Sequence, residues 1–444
     1  MPVHSHLTRS SLPTHQLHCS DTLLSRLPSD FDHQARLHRG FIRSRALASP
    51  LDLLRALLLI SLDDLSFRAL GVWAVLSDVG DLSDTAWRHR LQRASPFLLW
   101  LLGQLLACSC SLASELHERA GRVLLVDASY LRCHSGSGDD LRLHLAFDLL
   151  AGRMVQVDIT DRSGAEHLSR FAFRQADILV ADSGYGFRQQ LFEATRQGAQ
   201  AVVRVHLPTF PLQDEHAAAF DSLGWLKRQH ASVVEHHAWY ALDGQRLPVR
   251  IVASRLPPEK RAEQTARKRR KASKAGRRVT GDTLMLAGWL VVVTTLGAEW
   301  SASEVLRLYR ARWQIEVLFK RLKQHLKLKR LSGRTQETRT AQVRAMVVAW
   351  VLVEITEEEL RSLLPDGQHD PHAPASSWMM SLVSVQTLRA EVRGWWTLAR
   401  VKECLPRLER YLFSHRRGRR QQEEHVRAWL ETKLGGMIHH AQAA

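Results

Sequence analysis

Residues 122–206 change texture abruptly, and the order of segments there constrains the fold more than any other feature. "RVLLVDASYLRC" (122–133), "DLRLHLAFDLL" (140–150) and "RMVQVDITD" (153–161) read as three strands on short connections, hence an antiparallel meander. "AEHLSRFAF" (165–173) reads as a helix, "DILVADSGYG" (177–186) as a short apolar strand opening into glycines, "FRQQLFEATRQG" (187–198) as a helix and "AQAVVRVH" (199–206) as a strand. The order β-β-β-α-β-α-β predicts an α/β mixed sheet with helices on its faces. The first and fourth strands can then be neighbours.

Two acids stand in this apolar frame. Asp127 follows four consecutive apolar residues in the first strand, and Asp182 ends the fourth strand after Ile178, Leu179 and Val180. A carboxylate in an apolar strand is costly unless it is paired or holds a cation. A third acid, Glu316, lies in "YRARWQIEVLFKRLK" (309–323). A helix advances roughly 100° per residue, so Arg312, Glu316 and Lys323 fall at about −60°, −20° and −40° from Tyr309. All four share one stripe, beside an apolar stripe of Val305, Leu308, Ile315, Leu318 and Leu322 that suits burial. Three oxygen-donor groups suit Mg²⁺ or Mn²⁺ and phosphoryl transfer. Each acid also has an ordinary reading: Asp127 and Asp182 as turn residues, Glu316 as a helix ion-pair partner. Asp139, Asp140, Asp148, Asp158, Asp161 and Glu166 are the competing carboxylates.

The flanks read as helical. "SPLDLLRALLLISL" (49–62) is an apolar helix, and 65–95 reads as helix, glycine-containing turn, helix, with Ser83 or Asp84 as cap. Arg88, His89, Arg90 and Arg93 lie along the second helix, which resembles a helix-turn-helix head aimed at a duplex. "FLLWLLGQLLACSCSLA" (97–113) is nearly long enough to span a membrane, but Gln104, Ser109 and Ser111 interrupt it, so a buried helix is expected. Residues 207–300 break the core pattern: two further antiparallel strands at 231–242 and 246–256, then a basic excursion at 257–282, then a buried strand at 284–296. The excursion carries Lys268, Arg269, Arg270 and Lys271 and is expected to be flexible or partly helical. A helix over 302–330, another beyond 340, a loop at 365–377 and a helical remainder with basic residues at Arg416, Arg417, Arg419 and Arg420 complete the chain.

Charge points to the partner. A formal net charge of +17 over 444 residues, with a pI near 10.3, favours a polyanion, nucleic acid before an anionic membrane. The five cysteines, Cys19, Cys108, Cys110, Cys133 and Cys404, form no CxxC pair, which fits a reducing cytoplasm. The 23 histidines are scattered rather than spaced as zinc ligands.

Tyr309, Arg312, Glu316 and Lys323 match the form Y-x2-R-x3-E-x6-K, and with "VDASY" and "ADSGYG" the chain resembles the DDE transposases of bacterial insertion sequences, in the branch with the Tyr-Arg-Glu-Lys signature. The resemblance spans roughly 60–350. It implies a ribonuclease-H-like core with a β-rich insertion between the second Asp and the Glu. It makes Asp127, Asp182 and Glu316 the catalytic ligands of Mg²⁺, with Mn²⁺ as substitute. Tyr309, Arg312 and Lys323 would grip phosphates. Trp289 would receive a flipped base, or else be a core tryptophan. Ser183 stands where the family often has a basic residue, and "DAS" where a threonine is frequent third.

The organisation implied is a helical end-binding region at 1–120, core at 121–206, a β-rich insertion at 207–300, core completion at 301–350 and a helical, dimerising region at 351–444. The activity implied is cutting and joining of double-stranded DNA ends, cut-and-paste through a hairpin, by a homodimer in the cytoplasm with no membrane partner. A ribonuclease-H-like nuclease without strand transfer, or a decayed transposase that only binds DNA, are the alternatives.

Overall fold

The computed structural model describes residues 14–111, 121–132, 140–186, 188–327, 331, 333–364, 375–413 and 422–443. Cys133, Asp139, the basic residues at 416–420 and most of the 365–377 loop lie outside these residues.

The chain opens with helices α1 (Thr14–Ser25), α2 (Phe31–Leu37), α3 (Pro50–Leu62), α4 (Phe67–Leu76) and α5 (Asp84–Ser111). Helix α3 starts where Ser49 Oγ accepts the Asp52 amide and Pro50 supplies a preset φ. It is buried all round, which is why it shows no polar face. Ser83 caps α5 by accepting the Ala86 amide. The segments expected as a basic helix and a separate apolar helix are one 28-residue helix with Pro96 inside it. Its apolar half is buried in protein, with Leu98, Leu101, Leu102 and Leu105 at most 3% exposed. Among the described residues no helix is long and apolar enough to cross a membrane.

A ten-stranded mixed sheet follows. Its strands are β1 (Val123–Leu131), β2 (Leu141–Asp148), β3 (Arg153–Asp161), β4 (Ile178–Ala181), β5 (Gln200–Arg204), β6 (Leu212–Gln213), β7 (Ala219–Phe220), β8 (Val233–Leu242), β9 (Gln245–Arg255) and β10 (Trp289–Thr294). Their order is β3-β2-β1-β4-β5-β10-β9-β8-β6-β7. The first three strands form the expected antiparallel meander; β1, β4 and β5 run parallel as neighbours. Alternation along β1 sends Leu125 to one core and Leu124 and Val126 to the other, so both faces of the sheet are covered.

Two elements differ from expectation here, and the basic excursion is partly helical as expected. Residues 165–173 make only a single 3-10 turn at Leu168–Arg170. Side-chain amides take the backbone groups a helix would use: Gln156 bonds both the N–H and C=O of Ala172, and Gln190, on α6 (Arg188–Arg196), bonds the Leu168 N–H and Glu166 C=O. After the short helix α7 (Ser222–Lys227), the basic excursion is a 17-residue helix, α8 (Pro258–Lys274), with no buried residue. The stretch 284–296 begins inside another short helix, α9 (Gly281–Leu286), capped by Thr280, before β10.

The predicted 302–330 helix is two helices, α10 (Ala302–Ala311) and α11 (Trp313–His325). Ser301 and Glu304 form a capping box at the start of α10. Arg312 sits at the junction. Its N–H bonds Tyr309 C=O and its C=O takes the Ile315 N–H, a tightening to i+3 spacing. Helices α12 (Gln336–Ser362), α13 (Ser377–Arg393), α14 (Leu398–Leu412) and α15 (Gln422–Ala443) complete the chain. One hydrophobic core runs from Leu23 to Leu434 and joins α3, α5, α12 and α13 with one face of the sheet and with α10 and α11. A buried ion-pair cluster ties α1 to that core: Arg26 lies between Glu359 and Glu391.

Candidate active site

The site forms where β4 stops beside β1. The parallel register pairs Val126 with Ala181, so Asp127 and Asp182 are the next residues on adjacent strands. Beyond that point β1 continues and β4 turns away into a 3-10 turn at Ser183–Tyr185. A parallel sheet opens a crevice at such strand ends. Asp127 Oδ1 accepts the Ala128 amide at 2.8 Å, and Asp182 Oδ1 accepts the Ser183 amide at 2.7 Å.

Helices α10 and α11 bring the rest across the same face. The Tyr309 hydroxyl donates to Asp182 Oδ1 at 3.2 Å. Arg312 reaches Asp127 Oδ2 with Nη1 at 3.5 Å and Glu316 Oε1 with Nη2 at 2.6 Å. Lys323 Nζ donates to Ser129 Oγ at 2.5 Å, two residues along β1 from Asp127. The four helix residues therefore do face one site, although the helix is broken among them. The acids are linked through Arg312 rather than gathered: among the described residues no group of three or more His, Cys, Asp or Glu side chains stands close enough to hold a metal ion. The Arg312 guanidinium lies between the Asp127 and Glu316 carboxylates and compensates their charge.

Electrostatics report the same balance. Burial pushes the Asp127 carboxyl up to about 6, against the Ala128 amide and Arg312, with the charges of Asp182 and Glu166 adding to the rise. Burial and the Asp182 carboxylate hold the Tyr309 phenol up at about 12. Arg312 is kept firmly charged: burial opposes its charge, but Tyr309, Asp182 and Glu316 outweigh it.

Trp289 opens β10 and is 6% exposed within the second core. The Arg255 guanidinium lies 4.6 Å from its ring centre. It also lines a 210 Å³ cavity with Arg204, His206, Gln264 and Lys268. Lys268 thus comes from α8 to the Trp289 cavity; Arg269, Arg270 and Lys271 follow it on the same exposed helix. Arg88 and Arg90 lie on α5, half-buried, with no bond to the acids.

Two participants escaped sequence reasoning. Arg204 ends β5 and brings Nη1 within 3.9 Å of Asp182 Oδ1; its signal was an arginine closing an apolar strand, parallel to the one Asp182 closes. Glu166, counted only as a competitor, lies against Gly184, where an added Cβ would stand 1.7 Å from its Oε2.

A mixed sheet with paired aspartates at its crevice, and a helix bearing a third acid among cations, defines a phosphoryl-transfer type of site. The family model described as "Transposase DDE domain" matches residues 118–352, from just before β1 into α12, and the chain belongs to the DDE transposases, enzymes of DNA cleavage and strand transfer. InsL of insertion sequence element IS186A, from Escherichia coli (strain K12), is 32% identical over 335 residues, covering 74% of this chain and 90% of that protein. The transposase of insertion sequence element IS421, from Escherichia coli, is 32% identical over 336 residues with the same coverage. The transposase of insertion sequence element IS231F, from Bacillus thuringiensis subsp. israelensis, is 23% identical over 299 residues, 60% of this chain and 62% of that protein.

Proposed function

We propose that this transposase cuts and joins the ends of an insertion sequence by two-metal phosphoryl transfer in a ribonuclease-H-like core. The observation that carries the reading is the register of β1 on β4, which sets Asp127 beside Asp182 under the helix pair bearing Tyr309, Arg312 and Glu316. The core is residues 121–206 and 301–350, the insertion 207–300, the end-binding region 1–120 and the dimerising region 351–444. The signature residues assign the chain to the Tyr-Arg-Glu-Lys branch.

The donor set fits a hard divalent cation, Mg²⁺ or Mn²⁺. All three side chains are carboxylates, 22%, 35% and 46% exposed, and Asp182 Oδ2 and Glu316 Oε2 take no hydrogen bond among the described residues. Such ions, when bound, lower the pKa of an attacking water or 3′-hydroxyl and stabilise the leaving oxygen. Asp127, Asp182 and Glu316 hold them. Arg312, released from the acids, presents a fork to a phosphate, Lys323 a point charge and Tyr309 a hydroxyl. Arg204, beside Asp182, supplies the cation that Ser183 lacks. Trp289 and its cavity take an extruded base, with α8 tracking the backbone.

Water first cleaves the phosphodiester at the element's end and frees its 3′-hydroxyl; that hydroxyl attacks the opposite strand's phosphodiester, forming a hairpin and releasing the flanking DNA with a 3′-hydroxyl; a second water opens the hairpin and regenerates the element's 3′-hydroxyl, which attacks target DNA and expels a target 3′-hydroxyl. The protein works in the cytoplasm at the nucleoid, as a homodimer holding two ends. The test is a cleavage assay on the element's own end with Mg²⁺ or Mn²⁺, comparing the wild type with Asp182→Ala and Glu316→Ala. Cleavage lost in both variants while duplex binding persists supports the reading. Binding without cleavage in the wild type, with paired ends and either metal, overturns it.

A further inference from the structure

Outside the acid cleft, the helical region carries a groove walled by arginines. It lies between the segment that follows α2 and the outer turns of α5, with a volume of 600 Å³. Arg39, Arg43 and Arg45 line one side; His89, Arg90 and Arg93 line the other. Gly40, Ile42, Leu82 and Ala86 complete the lining, and no carboxylate contributes to it.

The cations here are uncompensated. None of the five arginines makes an ion pair or hydrogen bond through its side chain among the described residues, whereas Arg26, Arg122, Arg250 and Arg312 are each bonded to an acid. Asp84, in the first turn of α5, accepts from the Thr85 amide. Burial, and Arg93 close by, hold the pKa of Arg90 below its ordinary value. Arg39 adds backbone strain. It sits at φ +57° just after the C-cap of α2, a position where glycine costs least. Keeping an arginine there has a conformational cost that the fold does not require.

Along α5, Trp87, Leu91 and Ala94 are fully buried, and Arg39, Arg43 and Arg45 line the groove beside the strip formed by His89, Arg90 and Arg93. The lining offers guanidinium forks that match phosphate oxygens, with no Asn or Gln for adenine and no Asp or Glu for cytosine, so guanine is the one base edge it has the groups to read.

We propose that this groove is a phosphodiester clamp, in which Arg39, Arg43, Arg45, Arg90 and Arg93 hold the backbone of duplex DNA without reading its bases. The inference rests on DNA being the partner, as proposed above. The clamp is fixed relative to the acid cleft. Gln92 donates to Thr338 Oγ1 at 2.7 Å and Arg344 to Ser95 Oγ at 2.7 Å, which ties α5 to α12, the helix after α11.

The test measures affinity of the full chain for two short duplexes, one of random sequence and one carrying the element's end, across a salt series. Arg43→Gln/Arg93→Gln should weaken both duplexes alike, by about 10–100-fold at low salt. The slope of log affinity against log salt should shrink by about 2, near 0.9 per lost phosphate contact. Arg43→Lys/Arg93→Lys should keep the slope. An unchanged slope in the Gln variant overturns the clamp, as does a loss confined to the element-end duplex, which would mean base reading. Equal loss in the Lys variant assigns the arginines a structural role and overturns it too. Absence of cleavage by the wild type would sink the proposed strand chemistry, yet leave the slope change to decide the clamp.

Discussion

The acid cleft and the arginine groove are two concentrations of charge solved in opposite ways. In the cleft, Arg312 lies between Asp127 and Glu316, while Tyr309 and Arg204 face Asp182. In the groove, five arginines face one another across apolar carbon with no acid among them. The first arrangement is largely compensated by its own cation, so a ligand that bridges Asp127 and Glu316 must displace Arg312. The second gains as soon as a polyanion arrives, because binding supplies the missing counter-charge. The excess of positive charge seen in composition is therefore not uniform in kind: some cations are compensated by acids in the cleft, and others, in the groove, face no acid.

The largest expected effect breaks the cleft and leaves the groove alone. Asp182→Asn or Glu316→Gln should lower end cleavage by about 10³-fold or more, since each removes a charged oxygen donor. Duplex affinity should stay within about two-fold, because phosphate contacts elsewhere supply it. Retained cleavage in either variant would remove that acid from the chemistry.

Next, Arg312→Ala strips the cleft of its internal counter-cation. Cleavage should fall by about 10²-fold, from the loss of a phosphate ligand. Without DNA, Mn²⁺ should raise the thermal midpoint of this variant more than that of the wild type, because the metal no longer competes with a guanidinium. Equal rises would show that Arg312 does not occupy the carboxylates in solution.

A smaller effect separates recruitment from folding. Lys268→Ala/Lys271→Ala on α8 should weaken binding of any duplex by about ten-fold at low salt. Its thermal midpoint should not move, since α8 buries no residue. A lowered midpoint would mean that the helix packs on something else.

The smallest effect concerns a third solution, in which charge is removed by protonation. Glu354 on α12 is half-buried, accepting from Trp350 Nε1 at 2.8 Å and from the Met154 amide. Burial raises its carboxyl from 4.5 to about 8. A raised carboxyl binds its proton more tightly in the folded state. Its contribution is therefore full below about pH 4.5 and is lost as pH rises through about 8. Glu354→Gln should flatten that slope, lifting the midpoint relative to wild type by a few degrees above about pH 8. Parallel pH profiles would show that Glu354 is already ionised in the fold.

Much of this was legible in the chain because the decisive residues interrupt patterns. An acid after an apolar run marks both Asp127 and Asp182, and the strand order allowed β4 to lie beside β1, which the sheet bears out. The break at Arg312 was not legible, since the apolar stripe continues across it from Leu308 to Ile315 and only tertiary packing tightens the turn. Residues 165–173 have a helical pattern locally, but Gln156 and Gln190 capture their backbone from elsewhere in the fold. The expected boundary between the 65–95 and 97–113 helices falls at Pro96, which α5 runs through without ending. The groove depends on two segments about 50 residues apart closing on each other, which neither segment announces.

The burial of α3 has a consequence in time. Its partners include α12, whose first residue lies 274 positions after the last of α3, and α13 beyond that. A ribosome adding about 5–20 residues per second takes roughly 15–60 s to cover that interval. Throughout it, a predominantly apolar helix has been made and the α12 and α13 surface that completes its enclosure has not. The nascent chain must be sheltered for most of its own synthesis, and every truncated product ending before α12 carries that exposed helix as a mark for aggregation or disposal.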